Sequence, residues 1–298
     1  MVLEGNLKSN AGEIKDKLIL APRTLSVIKH LSYGPSTHDS LRNAAFARYP
    51  DLDYTKFLPK GRLLNNDGNN NFISRQQIKE KLTKLENNKI IESYDYVHIT
   101  DGAYPVHTKV YALTEKGAGV ASRLLKRDIT NIRFGLPSEN VLGHEILISR
   151  VIDKLYSGEN HKNSLYTINF IHADRVLRSL YSISNGHLPS KGVHFFDLLV
   201  SITTHSGSDI IMRMELANNY DYGLFWKDKL HYFKNDPFYI LVNDGQLLNN
   251  LIVWIQQWKL PNPVYLTWLS KFLDLGLEGT PWKRVTNNEI REIQLNID

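Results

Sequence analysis

Apolar residues recur at helical spacing early in the chain: Leu25, Val27, Ile28 and Leu31 form one stripe, which Gly34-Pro35 stops. A second helix is expected over residues 37–48, through Leu41, Ala44 and Ala45. The strongest local signal is Ser74-Arg-Gln-Gln77, a capping box flanked by Ile73 and Ile78 at hydrophobic-staple positions. Behind it Ile78, Leu82 and Leu85 share a face, which predicts a helix to about residue 88. Segments 90–94 and 109–113 read as paired strands around a long loop, and a further helix opens at Thr114 and runs through Leu125. Past Pro137 the pattern predicts a long amphipathic helix from Glu139, with Leu142, Ile146, Val151, Ile152 and Leu155 facing inward. A strand at 165–171, a helix around 222–233, a buried strand at 237–243, a helix at 247–258 and a strand at 263–268 follow.

Residues 194–217 read as a β-hairpin, with strands over 194–202 and 209–217 joined by a turn at His205-Ser-Gly207. A turn centred near Ser206 places Asp197 and Glu215 at equal distances from it, facing each other. Directly opposed like charges destabilise a hairpin. Such a pair persists most readily with a cation between the carboxylates, and a hard divalent metal is the obvious candidate. The plainer alternative, which the sequence leaves open, is two carboxylates near sheet ends, salt-bridged to Arg213 or Lys229.

The chain has 298 residues, 42% hydrophobic and 22% charged, enough for two ordinary globular domains. No apolar run approaches a membrane span, and the opening Met1-Val-Leu-Glu-Gly-Asn has no leader pattern, so a cytoplasmic protein with no membrane partner is expected. The absence of cysteine removes disulfides, iron–sulfur clusters, thiolate zinc and cysteine nucleophiles together. There is no His-x-x-x-His zinc spacing, no Gly-x-x-x-x-Gly-Lys phosphate loop and no Gly-x-Ser-x-Gly elbow. The net charge of +5 is unevenly placed: residues 1–130 hold 20 Lys and Arg against 14 Asp and Glu, the remainder 16 against 17. That excess suggests a polyanion partner for the first half.

Helix, helix, capped helix, hairpin, helix is the order of a winged helix-turn-helix, expected over residues 20–130. Tyr111-Ala-Leu-Thr-Glu-Lys-Gly117 resembles the Tyr-x-Leu-Thr-x-x-Gly ending common after the wing in that superfamily. In such a domain the capped helix enters the major groove of duplex DNA. Its exposed residues are then Arg75, Gln76, Lys79, Thr83 and Lys84: Gln suits adenine edges, and the basic residues suit phosphates or guanine. Glu80 departs from this, since a carboxylate there repels phosphate unless a cytosine amine donates to it. A winged helix that binds protein remains the alternative. The Asn-rich stretch within 49–71 reads as an inserted loop of open role.

The order α-β-β-β-α-β-α-β over residues 138–298 resembles the restriction-endonuclease-like core of the PD-(D/E)XK nucleases, an α/β unit with a mixed sheet. The chain as a whole is therefore expected to be α+β. What the resemblance implies, residue by residue, is a helix acid at Glu145, adjoined by His144, a strand Asp at Asp197 and a strand Glu at Glu215. The latter two would bind Mg²⁺, with Mn²⁺ as a substitute. Ala217 stands where that family has its lysine. A basic group must then come from Arg213, Lys227 or Lys229, with Lys229 the catalytic candidate, or the site is dead.

Together, Tyr111–Gly117, His144-Glu145, Asp197, Glu215-Leu216, Lys229-Leu230 and Tyr232 resemble the replication-relaxation family of plasmids and other mobile elements. The resemblance implies a sequence-specific double-stranded-DNA-binding protein acting in replication, relaxation or transfer, with other replication or transfer proteins as partners. It implies either a metal-dependent endonuclease or a non-catalytic regulator with a degenerate nuclease fold.

Overall fold

In the computed structural model, which describes residues 22–47, 49–52, 74–99, 105–159, 164–186, 193–217 and 223–295, the capping box forms. Ser74 Oγ accepts from the Gln77 N–H, and the Gln77 side chain accepts from the Ser74 N–H. The capped helix is α3 (Arg75–Asn87); it follows α1 (Pro22–Leu31), β1 (Ser36–Thr37) and α2 (His38–Ala44). The second helix is shorter than its apolar spacing suggests. Thr37 caps it, and the chain turns at Ala45. Arg48, Ile73 and the Asn-rich part of the insertion lie outside the described residues.

The paired strands are longer than expected: β2 (Ile91–Ile99) and β3 (Pro105–Leu113) pair antiparallel throughout. A two-stranded ribbon whose outer part bears polar residues such as Asp95 and Thr108 carries no apolar alternation to read. Helix α4 (Glu115–Leu125) returns against the ribbon base, where Thr114 caps it and also donates to the Lys89 carbonyl. Gly117 is required at this point, because a Cβ there would lie 1.9 Å from the Ile90 carbonyl oxygen. β1, β3 and β2 make a small antiparallel sheet.

Helix α5 (Glu139–Glu159) buries Leu142, Ile146, Val151, Ile152 and Leu155. It leads into β4 (Tyr166–Ala173), α6 (Asp174–Asn185), β5 (Leu198–Thr204), β6 (Asp209–Ala217), α7 (Gly223–Tyr232), β7 (Phe238–Val242), α8 (Gly245–Trp258), β8 (Val264–Trp268), α9 (Leu269–Gly279), β9 (Pro281–Val285) and β10 (Ile290–Gln294). Helices α6 and α9 and the last two strands go beyond the elements expected from the sequence. The seven-stranded sheet runs β10-β9-β8-β7-β6-β5-β4, parallel from β6 to β8 and antiparallel on either side. The protein is thus α+β, with a small antiparallel sheet and a larger mixed one.

The central strand β7 is buried throughout, as expected for a parallel strand covered on both faces. Tyr239 and Leu241 join an apolar cluster with α5 and α9, while Phe238, Ile240 and Val242 join a second with α7 and α8. The first cluster does not stop at the boundary near Pro137. It continues into Leu25, Ile28, Leu41, Leu82 and Leu113. Polar contacts accompany it: His30 bonds both Tyr49 and Ser149, and Asn43 donates to Asp153. Among the described residues no helix is long and apolar enough to cross a membrane.

Candidate functional site

The hairpin register follows from its turn. Leu198 pairs with Met214 and Thr203 with Asp209, so one step beyond the ladder Asp197 faces Glu215. The regular ladder stops at Leu198 rather than continuing to residue 194, because side chains replace backbone there. Asp197 Oδ2 accepts from the Leu216 N–H at 2.8 Å, and Glu215 Oε2 accepts from the Asp197 N–H at 3.1 Å. The two acids therefore hold each other's strand ends while lying side by side.

Each remaining carboxylate oxygen meets a basic side chain from a different layer. Lys229, on α7, donates to Glu215 Oε1. His144, on α5, lies 3.1 Å from Asp197 Oδ1. Helices on opposite faces of the sheet thus converge at its end. Glu215 is 7% exposed and Lys229 5%, so the ion pair is buried. Burial pushes the Glu215 carboxyl up; the Asp197 charge adds to this, and Lys229 opposes it. Burial pulls the His144 imidazole down, but its bond to Asp197 and the charges of Asp197, Glu215 and Glu145 outweigh that, and its pKa ends raised.

Of the expected site residues, Asp197, Glu215 and Lys229 meet. Glu145 is one residue from the contact, and its carboxylate turns to Arg133 at 3.3 Å. Burial raises its pKa against the pull of Arg133. The helix side chain that touches Asp197 is His144. Of the other lysine substitutes, Arg213 pairs with Asp236, and Lys227 is exposed on α7. His194 packs against Phe225 and Tyr232, and His231 bonds the Lys227 carbonyl. A cleft of about 1030 Å³ between α2, the β2–β3 ribbon and α5 is lined by Asn43, Tyr96, Thr108, Gly143 and Arg150, and it opens onto His144.

Magnesium fits the donor chemistry. It binds hard oxygens, keeps several waters, and ordinarily takes only one or two carboxylates from the protein, the rest coming from substrate phosphate. Asp197 and Glu215 supply such a pair, and each oxygen retains a second lone pair beside its hydrogen bond. A self-sufficient protein cage is a different matter: among the described residues no group of three or more His, Asp or Glu is arranged to hold a metal.

In the first half, Arg75, Gln76, Lys79, Thr83 and Lys84 are all exposed on α3. Gln76 donates to Glu80, which ties that carboxylate to its own helix. Partial burial lowers the pKa of Lys81, and the nearby charges of Arg23 and Lys84 lower it further. Three cations therefore crowd one side of α1 and α3, repelling each other. Like charges held together in this way favour an anionic partner.

No family model matches this chain, nor does any curated protein or solved structure.

Proposed function

We propose that this chain is a sequence-specific duplex-DNA-binding protein of a plasmid or other mobile element, acting in replication, relaxation or transfer. In this reading residues 20–130 are a winged helix that grips DNA through α3. Residues 138–298 are a restriction-endonuclease-like domain whose phosphodiester-hydrolysing site is Asp197, Glu215 and Lys229. The observation that carries it is the Lys229–Glu215 pair beside Asp197. A lysine from α7 reaches the carboxylates that the Ala217 position cannot serve. The strand order, with Asp197 immediately before β5 and Glu215 near the end of β6, supports the same reading.

In the mechanism this implies, Asp197 and Glu215 would hold the metal. When bound, a divalent cation supplies Lewis-acid stabilisation of charge on the phosphate and acidifies a water. Lys229 favours the ionised form of Glu215 against the cost of burial and donates positive charge next to the reacting phosphate. The Leu216 and Asp197 N–H groups fix the carboxylate planes, and His144 fixes the outer oxygen of Asp197.

A second reading is a non-catalytic regulator in which the nuclease fold is a scaffold. What favours it is that Lys229, His144 and two backbone N–H groups already satisfy all four carboxylate oxygens. Incubation with supercoiled plasmid and Mg²⁺ or Mn²⁺ separates the two. Nicking by the wild type, lost in Asp197→Ala and Glu215→Ala, supports catalysis. DNA binding without nicking supports the regulator. No DNA affinity at low salt, where phosphate contacts are strongest, overturns both.

A further inference from the structure

Two arginines with no role in the chemistry above sit on segments joined to the acid cluster. Arg175 is the second residue of α6, and α6 is fixed directly to the acid site: the Asp174 N–H donates to the Asp197 carbonyl at 3.0 Å. Its Nε donates to the Thr130 carbonyl at 2.8 Å. Arg133 follows the short 3-10 turn that contains Thr130, and its own N–H donates to the Ser32 carbonyl. Its guanidinium reaches Glu145, whose neighbour His144 touches Asp197. Both guanidinium groups therefore hang from segments tied to the backbone or side chain of the cluster.

Their charges are not balanced. Burial lowers the pKa of Arg175, and the nearby positive charge of Arg133 lowers it further, with Glu145 opposing. Glu145 is the carboxylate the two cations share; among the described residues Arg175 makes no salt bridge of its own. The Nε of Arg133 is buried and, among the described residues, has no hydrogen-bond partner. The rest of that guanidinium, not the buried Nε, is the part an arriving acceptor can reach. Both side chains remain reachable from solvent, that of Arg133 being 26% exposed. Guanidinium forks match phosphate oxygens bidentately. A phosphodiester approaching two carboxylates also needs cationic help to overcome their repulsion.

We propose that Arg133 and Arg175 form a phosphate-binding subsite that holds the DNA backbone alongside Asp197 and Glu215. The inference rests on the reading of that cluster as a DNA-processing site. The test is anisotropy of a labelled duplex with the full chain, without divalent metal, across a salt series. The Arg133→Gln, Arg175→Gln double variant binds more weakly than the wild type, and its log K against log salt slope is shallower by about 0.9 for each phosphate no longer neutralised. Lys79→Ala with Lys84→Ala weakens binding in addition. To guard against misfolding of the variant, the wild-type protein is treated with phenylglyoxal with and without the duplex and analysed by mass spectrometry. Arg133 and Arg175 are protected by DNA, whereas the exposed Arg291 is not. Unchanged affinity and slope, or no protection, overturns the subsite alone if the α3 variant still weakens binding. A wild type that binds no DNA overturns the subsite and the functional reading together.

Discussion

On α3 the side chains of Arg75, Lys79 and Lys84 stand in water, whereas Glu215 and Lys229 meet inside the protein with their charges sealed between a sheet and a helix. The first arrangement costs little to fold and attracts a polyanion at long range, but salt screens it. The second requires two ions to leave water. It is kept only because the Asp197 N–H and Lys229 together satisfy Glu215. A surface charge can be changed with little structural consequence. A buried pair binds two elements to each other, and removing one partner strands the other.

The largest test of that contrast is Lys229→Met, which leaves Glu215 buried without its cation. Breaking a buried pair costs about 3–5 kcal/mol. Chemical denaturation followed by tryptophan fluorescence reads it, since all five tryptophans lie beyond residue 222. Adding Glu215→Gln restores much of the loss; no restoration would mean that Lys229 acts through packing rather than charge.

The pH dependence sharpens the comparison next. Burial raises Asp153 to about 7 and Glu159 to about 7. Folded-state values above the unfolded ones mean that folding favours the protonated acids. Their stabilisation is complete below the ordinary carboxylate range and is lost as pH rises through about 7. The contribution of these two acids to the melting temperature therefore falls between about pH 4 and pH 7, and the buried His30 and His172, pulled down to about 3 and about 4, oppose it. Asp153→Asn flattens part of that fall, and an unchanged profile would show that Asp153 ionises freely in the fold.

Ser74→Ala removes one arm of the capping box at the start of the exposed helix and costs about 1 kcal/mol by denaturation. Smallest in stability is Lys79→Ala with Lys84→Ala, whose effect stays within about 0.5 kcal/mol. Under the proposed function the same variant is expected to weaken DNA binding and its salt dependence, a separation of stability from binding that anisotropy across a salt series checks.

Much of the local structure was legible in the residues. Ser74 and Gln77 announced the start of α3, and the turn at His205–Gly207 set a register that brought Asp197 opposite Glu215. The requirement for Gly117 in the Tyr111–Gly117 segment is explained only by the approach of α4 to Ile90. Less visible was α6, although Val176, Leu177, Leu180 and Ile183 are spaced as a helical stripe that ends at Gly186 in a left-handed conformation. Strand β9 and the edge strand β10 are short segments that mix apolar and polar residues, and nothing in their pattern distinguishes a strand from a loop.

Periodicity, caps and turns act between residues a few positions apart, and so the chain by itself determined many of its elements and the register of its acidic hairpin. The companions of those acids arrive from helices packed on opposite faces of the sheet: Lys229 from α7, and His144 rather than Glu145 from α5. Only the tertiary structure decided them, because burial and the angle at which each helix crosses the sheet select which side chain reaches the carboxylates. Neighbours in sequence carry no record of that selection.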